Sequence, residues 1–126
     1  MIWDSFSKRP YAPIRSTVRG KGDEQFLQQI SEIVSVRFTD MDFSVDDLAE
    51  QMHLSRSVLF ERTKEACGMT PNNFIKEMRL RKAASLLAEQ KYKVNEICYM
   101  VGFNTPSYFA KCFFRQFGVL PKDFVG

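Results

Sequence analysis

The sequence of 126 residues has little histidine and little cysteine, two residue types on which many enzyme and metal sites depend. It contains one histidine and three cysteines, with no Cys-x-x-Cys pair, so it offers no set of ligands at zinc-binding spacing. It has no His-Glu-x-x-His sequence, no glycine-rich phosphate loop and no nucleophile with a histidine partner. We therefore predict that the chain is not an enzyme, binds no metal ion and needs no cofactor.

The histidine and the cysteines have structural interpretations instead. His53 falls in a predicted turn with no other ligand type at metal spacing, which is typical of a surface residue. Cys67, Cys98 and Cys112 each fall at an apolar position of a predicted helix. An odd number of thiols without paired spacing favours small buried side chains in a reducing compartment over disulfides.

Long hydrophobic runs are also absent. No run of about 18 or more apolar residues is present to form a transmembrane helix, and the N-terminus lacks the apolar core of a signal peptide. A composition that is 44% hydrophobic and 26% charged is ordinary for a soluble globular domain with one core. The sequence therefore predicts one cytoplasmic domain that makes no membrane contact.

The net charge of +3 is small, but its distribution along the chain is uneven. Residues 23–50 hold one basic and eight acidic residues, whereas residues 51–126 hold twelve basic and six acidic residues. Because phosphate repels carboxylates, we predict that the acidic segment faces away from any nucleic acid and toward a protein partner.

Residues 1–22 carry prolines, glycines and five basic residues, without a sustained hydrophobic period. This composition predicts a linker or a flexible arm. Its aromatic residues Trp3, Phe6 and Tyr11 leave two alternatives open. The segment can pack on another domain or chain, or it can follow the DNA backbone as a basic arm.

A helix-turn-helix pattern occupies residues 94–118. Its first part has apolar residues at helical spacing, at Val94, Ile97, Cys98 and Val101. Gly102-Phe103 then ends that helix, and Thr105-Pro106 supplies an N-cap residue followed by proline at the first helical position. The second helix carries its apolar side at Phe109, Cys112, Phe113 and Phe117. A helix held in this way can present its start to the major groove of DNA.

The same pattern occurs once more, 49 residues earlier before the turn and 50 residues earlier after it. The corresponding pairs are Val45 with Val94, Leu48 with Ile97, Ala49 with Cys98, Met52 with Val101, Leu54 with Phe103, Leu59 with Phe109, Cys67 with Phe117, Gly68 with Gly118, Pro71 with Pro121, and Phe74 with Phe124. Both copies end in Gly-x-x-Pro-x-x-Phe. An internal duplication of this kind predicts two helix-turn-helix subdomains.

The remaining segments are also predicted to be helical. A first helix begins at Asp23 and ends near Arg37 or Phe38, with one apolar face. Ser44 with Asp47 forms a capping box, and Ser55 caps the following helix. We thus expect an all-α fold of about seven helices over residues 23–126. It consists of a first helix-turn-helix at about 44–68, a central helix at about 71–89 and a second helix-turn-helix at about 94–118.

These residues resemble the DNA-binding domain of AraC/XylS-type transcription regulators. The resemblance covers roughly Phe43 to Phe124 and is strongest from Ile97 to Pro121. The matching motifs are Gly102-Phe103, Tyr108-Phe109, Phe117-Gly118 and Pro121, with Phe74-Ile75, Met78-Arg79-Leu80, Ala83-Ala84 and Leu86-Leu87 in the central helix. Two positions depart from the family pattern: Arg62-Thr63 stands where an apolar pair is common, and Phe124-Val125 stands where Tyr-Arg is usual.

A narrower resemblance involves three segments near the first motif. Residues 23–27, 43–49 and 55–57 look like the output domain of hybrid two-component regulators, where this domain follows a receiver domain. The resemblance implies a sensor or receiver domain in the intact protein. It also implies promoter DNA and RNA polymerase as partners of an activator.

The family resemblance places the DNA-facing positions of the first recognition helix at Arg56, Ser57, Phe60, Glu61 and Lys64. Arg56 can contact guanine or phosphate, Glu61 can accept from cytosine N4, and Phe60 can pack on a thymine methyl group. The alternative for Phe60 is a partly buried core residue without a DNA role. Free amide groups at the helix start, beside Ser55, are expected to face phosphate.

The corresponding positions of the second recognition helix are Thr105, Pro106, Ser107, Ala110 and Lys111, with Phe114 and Arg115 toward the backbone. These residues include few bidentate readers of bases. We therefore expect the first helix to carry more sequence discrimination and the second to contribute positioning and shape readout. Arg79, Arg81 and Lys82 on the central helix are expected to be either solvated or phosphate-facing.

The sequence thus predicts sequence-specific binding of double-stranded DNA by the output domain of a transcription regulator. Two alternatives belong to other classes. One is a helical protein-interaction module that uses the acidic first helix without touching DNA. The other is a DNA-alkylation repair protein with a methyl-accepting cysteine, which the cysteines at core positions do not favour.

Overall fold

The computed structural model describes residues 21–124, so the predicted arm over residues 1–22 lies almost entirely outside the described residues. All regular elements within residues 21–124 are helical, which confirms the all-α prediction. In chain order they are α1 Lys21–Arg37, α2 Val45–Gln51, α3 Arg56–Cys67, α4 Pro71–Glu89, α5 Val94–Met100, α6 Pro106–Phe117 and a 3-10 turn at Pro121–Asp123. The first helix begins two residues before the predicted start at Asp23.

Short polar side chains determine where the helices of the first subdomain begin. The Ser44 hydroxyl accepts the Asp47 amide at 3.3 Å, and the Asp47 carboxylate accepts the Ser44 amide at 2.9 Å. This is the predicted capping box of α2. The Ser55 hydroxyl accepts the Val58 amide at 3.2 Å at the start of α3. Each such N-cap stabilises a helix by about 1 kcal/mol.

The second subdomain begins its helices differently. The Glu96 carboxylate accepts the Lys93 amide at 2.9 Å ahead of α5. Thr105 stands at the N-cap of α6 with Pro106 behind it, but the Thr105 side chain makes no capping hydrogen bond. The backbone of Thr105, at φ −135° and ψ 122°, differs from that of Ser55 at φ −70° and ψ 159°. Thr105 therefore occupies the predicted N-cap position, but the predicted capping by its side chain is wrong.

The two copies share the conformation of their turns. His53 and Gly102, which are 49 residues apart, both have left-handed backbones, with φ of 57° and 94°. Gly68 and Gly118, which end α3 and α6, both have a φ of 79°. His53 is also exposed, as predicted for a surface turn. The duplication in the sequence is thus a duplication in structure.

The second subdomain is built around phenylalanine rings. Phe113 is fully buried, with its ring centre 4.6 Å from that of Phe117 and 5.5 Å from that of Phe124. Phe109 lies 5.2 Å from Phe103 across the turn. Burial of each such side chain contributes about 1.5–3 kcal/mol, and this cluster fixes α6 on α5 through its apolar side.

Helix α1 packs against the first subdomain and extends its core. The apolar face of α1 is buried at Phe26, Leu27, Ile30 and Val34. The Arg62 guanidinium stacks over the Phe26 ring at 4.3 Å, and the Thr63 hydroxyl donates to the Leu59 carbonyl at 2.7 Å. These contacts give a physical account of the Arg62-Thr63 departure, because the buried hydroxyl is satisfied and the cation covers an aromatic face.

The central helix α4 packs against both subdomains, and two of its three basic residues near the middle have structural roles. Arg79 is partly buried and donates to the main-chain carbonyls of Phe38 and Asp40 at 3.1 and 2.8 Å. Arg81 is buried and lies 3.5 Å from the Glu77 carboxylate. Burial lowers the pKa of Arg81 and raises the pKa of Glu77. The expectation that Arg79 and Arg81 are solvated or phosphate-facing is therefore wrong.

Among residues 21–124, no helix combines the length and the apolar character that a membrane crossing requires.

Candidate nucleic-acid interface

The exposed face of α3 carries the side chains predicted for the first recognition helix. Those exposed positions are Arg56, Ser57, Phe60, Glu61 and Lys64. The opposite side of α3 is buried at Leu59, Thr63, Ala66 and Cys67. Phe60 keeps 48% of its surface exposed, which argues against the alternative of a core residue. The helical spacing thus gathers five chemically varied side chains on one accessible face.

Arg56 forms an ion pair in the free protein. One of its Nη atoms lies 2.8 Å from Oδ1 of Asp46, in the first turn of α2, and both side chains are about 70% exposed. Such an exposed pair contributes about 0–1 kcal/mol, because solvent screens it. A guanine or a phosphate can therefore replace Asp46 at little cost. The pair also places the starts of α2 and α3 next to each other.

The N-terminal half of α3 has a shallow depression on its exposed face. Arg56, Ser57, Phe60 and Glu61 line it. It combines a cation, a carboxylate, a hydroxyl and an aromatic ring, which are the groups that contact guanine, cytosine and the thymine methyl group. This composition can discriminate between base pairs.

The predicted face of α6 is less varied. Ser107, Lys111 and Arg115 are exposed, as is Thr105 ahead of the helix. Pro106 and Ala110 are half-buried. The Thr105 side chain accepts no hydrogen bond from the first-turn amide groups of α6. Those amide groups can therefore donate to another acceptor, such as a phosphate oxygen. This helix start therefore suits contacts to the DNA backbone.

A cleft between the two subdomains was not predicted from the sequence. Its wall comes from three parts of the chain: Met41, Phe43, Ser44 and Val45 before and at the start of α2, Asn72, Ile75, Lys76 and Arg79 on α4, and Gly102, Phe103, Asn104 and Tyr108 around the second turn. The Lys76 amine lies 6.0 Å from the centre of the Tyr108 ring. Tyr108 was noted only as a family motif residue, yet 49% of its surface is exposed.

The cysteines have no features of a catalytic or metal-binding site. Cys67, Cys98 and Cys112 are buried and free. Burial raises the pKa of the Cys67 and Cys98 thiols, which disfavours the nucleophilic thiolate. Within residues 21–124, no three His, Cys, Asp or Glu side chains are grouped so that they could hold a metal ion. The alkylation-repair alternative therefore gains no support.

The chain is similar in sequence to known proteins that include a histidine kinase and transcriptional activators. The chain is 38% identical over 102 residues to histidine kinase P4 of Formosa agariphila, which covers 81% of this chain and 7% of that protein. It is 32% identical to the transcriptional activator FapR of Escherichia coli, over 73% of this chain and 36% of FapR. It is 36% identical to the transcriptional activator RhaS of Escherichia coli, over 62% of this chain and 28% of RhaS. The chain thus spans only a minor part of each of these relatives.

Solved structures of response-regulator domains also resemble this chain. The C-terminal domain of the two-component response regulator YesN from Fusobacterium nucleatum superposes with a TM-score of 0.73 at 27% identity, over 81% of this chain and 99% of that domain. The C-terminal domain of the response regulator AraT from Geobacillus stearothermophilus superposes with a TM-score of 0.72 at 26% identity, over 78% of this chain and 81% of that chain.

The profile of the helix-turn-helix domain family matches residues 48–126, which is more than half of the chain. The two-subdomain fold, the exposed faces of α3 and α6 and these relatives agree with one another. The chain therefore belongs to the AraC-type family of helix-turn-helix domains, the DNA-binding domains of transcription regulators, and is similar to the C-terminal domains of two-component response regulators.

Proposed function

We propose that this domain binds a specific promoter sequence in double-stranded DNA by placing α3 and α6 in successive major grooves on one face of the duplex. The observation that carries the proposal is that both recognition helices expose most of their predicted DNA-facing positions, from subdomains that share α4. A helix of 19 residues is about 28 Å long at about 1.5 Å per residue. That length is close to the spacing of successive major grooves, about 34 Å.

We propose that the two recognition helices contribute differently to DNA binding. Arg56, Phe60 and Glu61 on α3 provide the variety of groups that base discrimination needs. On α6, Lys111 and Arg115 provide positive charge, while the half-buried Pro106 and Ala110 offer only apolar contact. The first half-site should therefore be specified more strictly than the second. Binding without catalysis is the whole of the proposed activity.

The regulation of this domain is proposed to come from outside the chain. The kinase relative and the response-regulator domains are parts of signalling proteins, and this chain covers only 7% of the kinase. We propose that a sensor or receiver domain of the intact protein controls DNA binding. The named activators among the relatives support a role as an activator in the cytoplasm, where the DNA lies.

A contact with RNA polymerase is proposed on the acidic side of the domain. Glu24 and Glu32 are exposed on α1, and Val36 keeps 76% of its surface exposed. Because phosphate would repel these carboxylates, we propose that this exposed surface faces a protein partner and not the DNA. An interaction module without DNA contact is less well supported, because the apolar face of α1 is already buried against the first subdomain.

The proposed function is tested by selecting bound sequences from random duplex DNA with the whole chain. We expect enrichment of a site with two half-elements about one helical turn apart. The affinity for that site should fall steeply with salt, because lysine and arginine contacts to phosphate release counterions. Selection that enriches no sequence, together with binding that is insensitive to salt, would contradict the proposal.

A further inference from the structure

The cleft between the two subdomains, referred to below as the central cleft, has a charge pattern that neither recognition helix explains. It encloses about 190 Å³. Among residues 21–124, its wall contains two cations, Lys76 and Arg79, and no carboxylate. Its other polar side chains belong to Ser44, Asn72, Asn104 and Tyr108. The cleft is therefore suited to a small anionic group.

The two cations differ in how far the protein already engages them. The Arg79 guanidinium already donates to the carbonyls of Phe38 and Asp40 at 3.1 and 2.8 Å. Within residues 21–124, the Lys76 amine contacts the Tyr108 ring, whose centre lies 6.0 Å away. A lysine amine carries three donors, and a ring face satisfies none of them fully. Lys76 therefore keeps its hydrogen bonds for a ligand or for water.

Four aspartates lie in the chain near the cleft wall, and the carboxylates of three of them have partners within the domain. Asp46 pairs with Arg56 at 2.8 Å. Asp47 accepts the amide of Ser44, a residue of the wall, at 2.9 Å, and Asp40 lies 3.4 Å from Arg37. Asp42 is exposed between the wall residues Met41 and Phe43. Among residues 21–124, none of these four carboxylates lines the cleft itself, whereas Lys76 and Arg79 do.

The central cleft also lies between the starts of the two recognition helices. On one side, Ser44 and Val45 adjoin Asp46, which contacts Arg56 at the start of α3. On the other side, Asn104 and Tyr108 flank the first turn of α6. If α3 and α6 enter successive major grooves, the backbone of the intervening minor groove runs between them.

We propose that the central cleft binds a phosphodiester group of the DNA backbone between the two half-sites, with Lys76 as its cationic contact. Asn72, Asn104 and Tyr108 supply amide and hydroxyl donors beside it. This inference rests on the proposed function, because it needs both recognition helices on one duplex. It adds a phosphate contact on the central helix that belongs to neither helix-turn-helix motif.

The test is the salt dependence of binding to the selected DNA site by the whole chain with Lys76→Gln. We expect the slope of log affinity against log salt to become shallower by about 0.9, the value for one phosphate contact. Over a change from about 50 to 200 mM salt, the affinity of the variant should fall about threefold to fourfold less than that of the unchanged chain. The preferred sequence should stay the same, because a phosphate contact carries no base information.

Two further variants make the result specific. Lys76→Arg retains the charge and should retain the slope. Lys91→Gln removes an exposed lysine just after α4, 3.8 Å from Glu89, and should also leave the slope unchanged. If Lys91→Gln lowered the slope as much as Lys76→Gln does, the effect would be one of general charge. That result would overturn the inference.

Inorganic phosphate serves as a second probe, followed by NMR at the Lys76 and Tyr108 side chains. We expect weak shifts with phosphate and larger shifts with the duplex. Saturation by phosphate combined with an unchanged slope in Lys76→Gln would identify a free-anion site and overturn the inference. An unchanged slope while the chain still binds its selected site would overturn only the cleft assignment. Absence of DNA binding by the unchanged chain would overturn both proposals.

Discussion

Gly102 packs so closely on Phe38 that a β-carbon added at position 102 would overlap the main-chain carbonyl oxygen of Phe38. The Arg79 guanidinium lies at the same point and donates its Nε hydrogen to the Phe38 carbonyl at 3.1 Å. This contact joins the connection ahead of the first subdomain to the turn of the second.

Replacement of Gly102 by valine should destabilise the second subdomain. The left-handed backbone, at φ 94°, and the overlap with a backbone oxygen act together, and we expect a loss of roughly 2–6 kcal/mol in the free energy of unfolding. Urea denaturation followed by circular dichroism measures this loss. Gly118→Val is the matched control, because the φ of Gly118 is 79° but nothing lies within 4 Å of an added β-carbon. Equal losses in the two variants would show that the Phe38 contact is unimportant.

Replacement of Arg79 by methionine should destabilise the domain by about 1–3 kcal/mol, because the Phe38 and Asp40 carbonyls lose their charged donor. Thermal unfolding measures the effect. Lys122→Met, at an exposed position near the C-terminal end, should leave stability nearly unchanged. An Arg79→Met protein as stable as the Lys122→Met protein would contradict the structural role assigned to this arginine.

Replacement of Asp46 by asparagine should strengthen DNA binding severalfold at low salt. It removes a carboxylate that competes for Arg56 and that would repel phosphate. The stability of the fold should change little, because the pair is exposed. Titration of labelled DNA measures the affinity. Glu89→Gln is the control, since that carboxylate is exposed and lies 3.8 Å from Lys91. Weaker binding by Asp46→Asn would mean that its carboxylate positions Arg56 for DNA.

Replacement of Lys111 by alanine should weaken DNA binding. If Lys111 contacts a phosphate, the loss should be uniform across sequences and the salt slope should fall by about 0.9. If it contacts a base, one position of the site should lose about 1–3 kcal/mol of discrimination. Binding to a panel of single-base variants separates the two outcomes. Binding equal to that of the unchanged chain would remove Lys111 from the interface.

The sequence predicted the faces of α3 and α6 well, because each helix buries one side against a nearby partner. The periodic apolar residues mark the buried side. Of the other positions, Arg56 and Lys111 are exposed, whereas Pro106 and Ala110 are half-buried. The duplication also predicted the turns, since His53 and Gly102 occupy matching left-handed positions. These features depend on local spacing, and local spacing is visible in a sequence.

Features that depend on distant contacts were missed. The roles of Arg79 and the environment of Lys76 follow from how α4 meets residues 38–45 and residues 102–108. The spacing of apolar residues along a central helix does not show which of its sides faces which subdomain. The Thr105 cap was also mispredicted, because the identity of an N-cap residue does not determine the backbone angles that direct its hydroxyl.

The central claim is that α3 and α6 engage one duplex together, and it is tested most directly by inserting five base pairs between the two half-sites of the selected DNA. Five base pairs rotate the second half-site by about half a helical turn. We predict that binding falls to that of a single half-site, and that an insertion of ten base pairs does not restore it, because α4 is too short to bridge the added distance. Affinity unchanged by the five-base-pair insertion would contradict the claim.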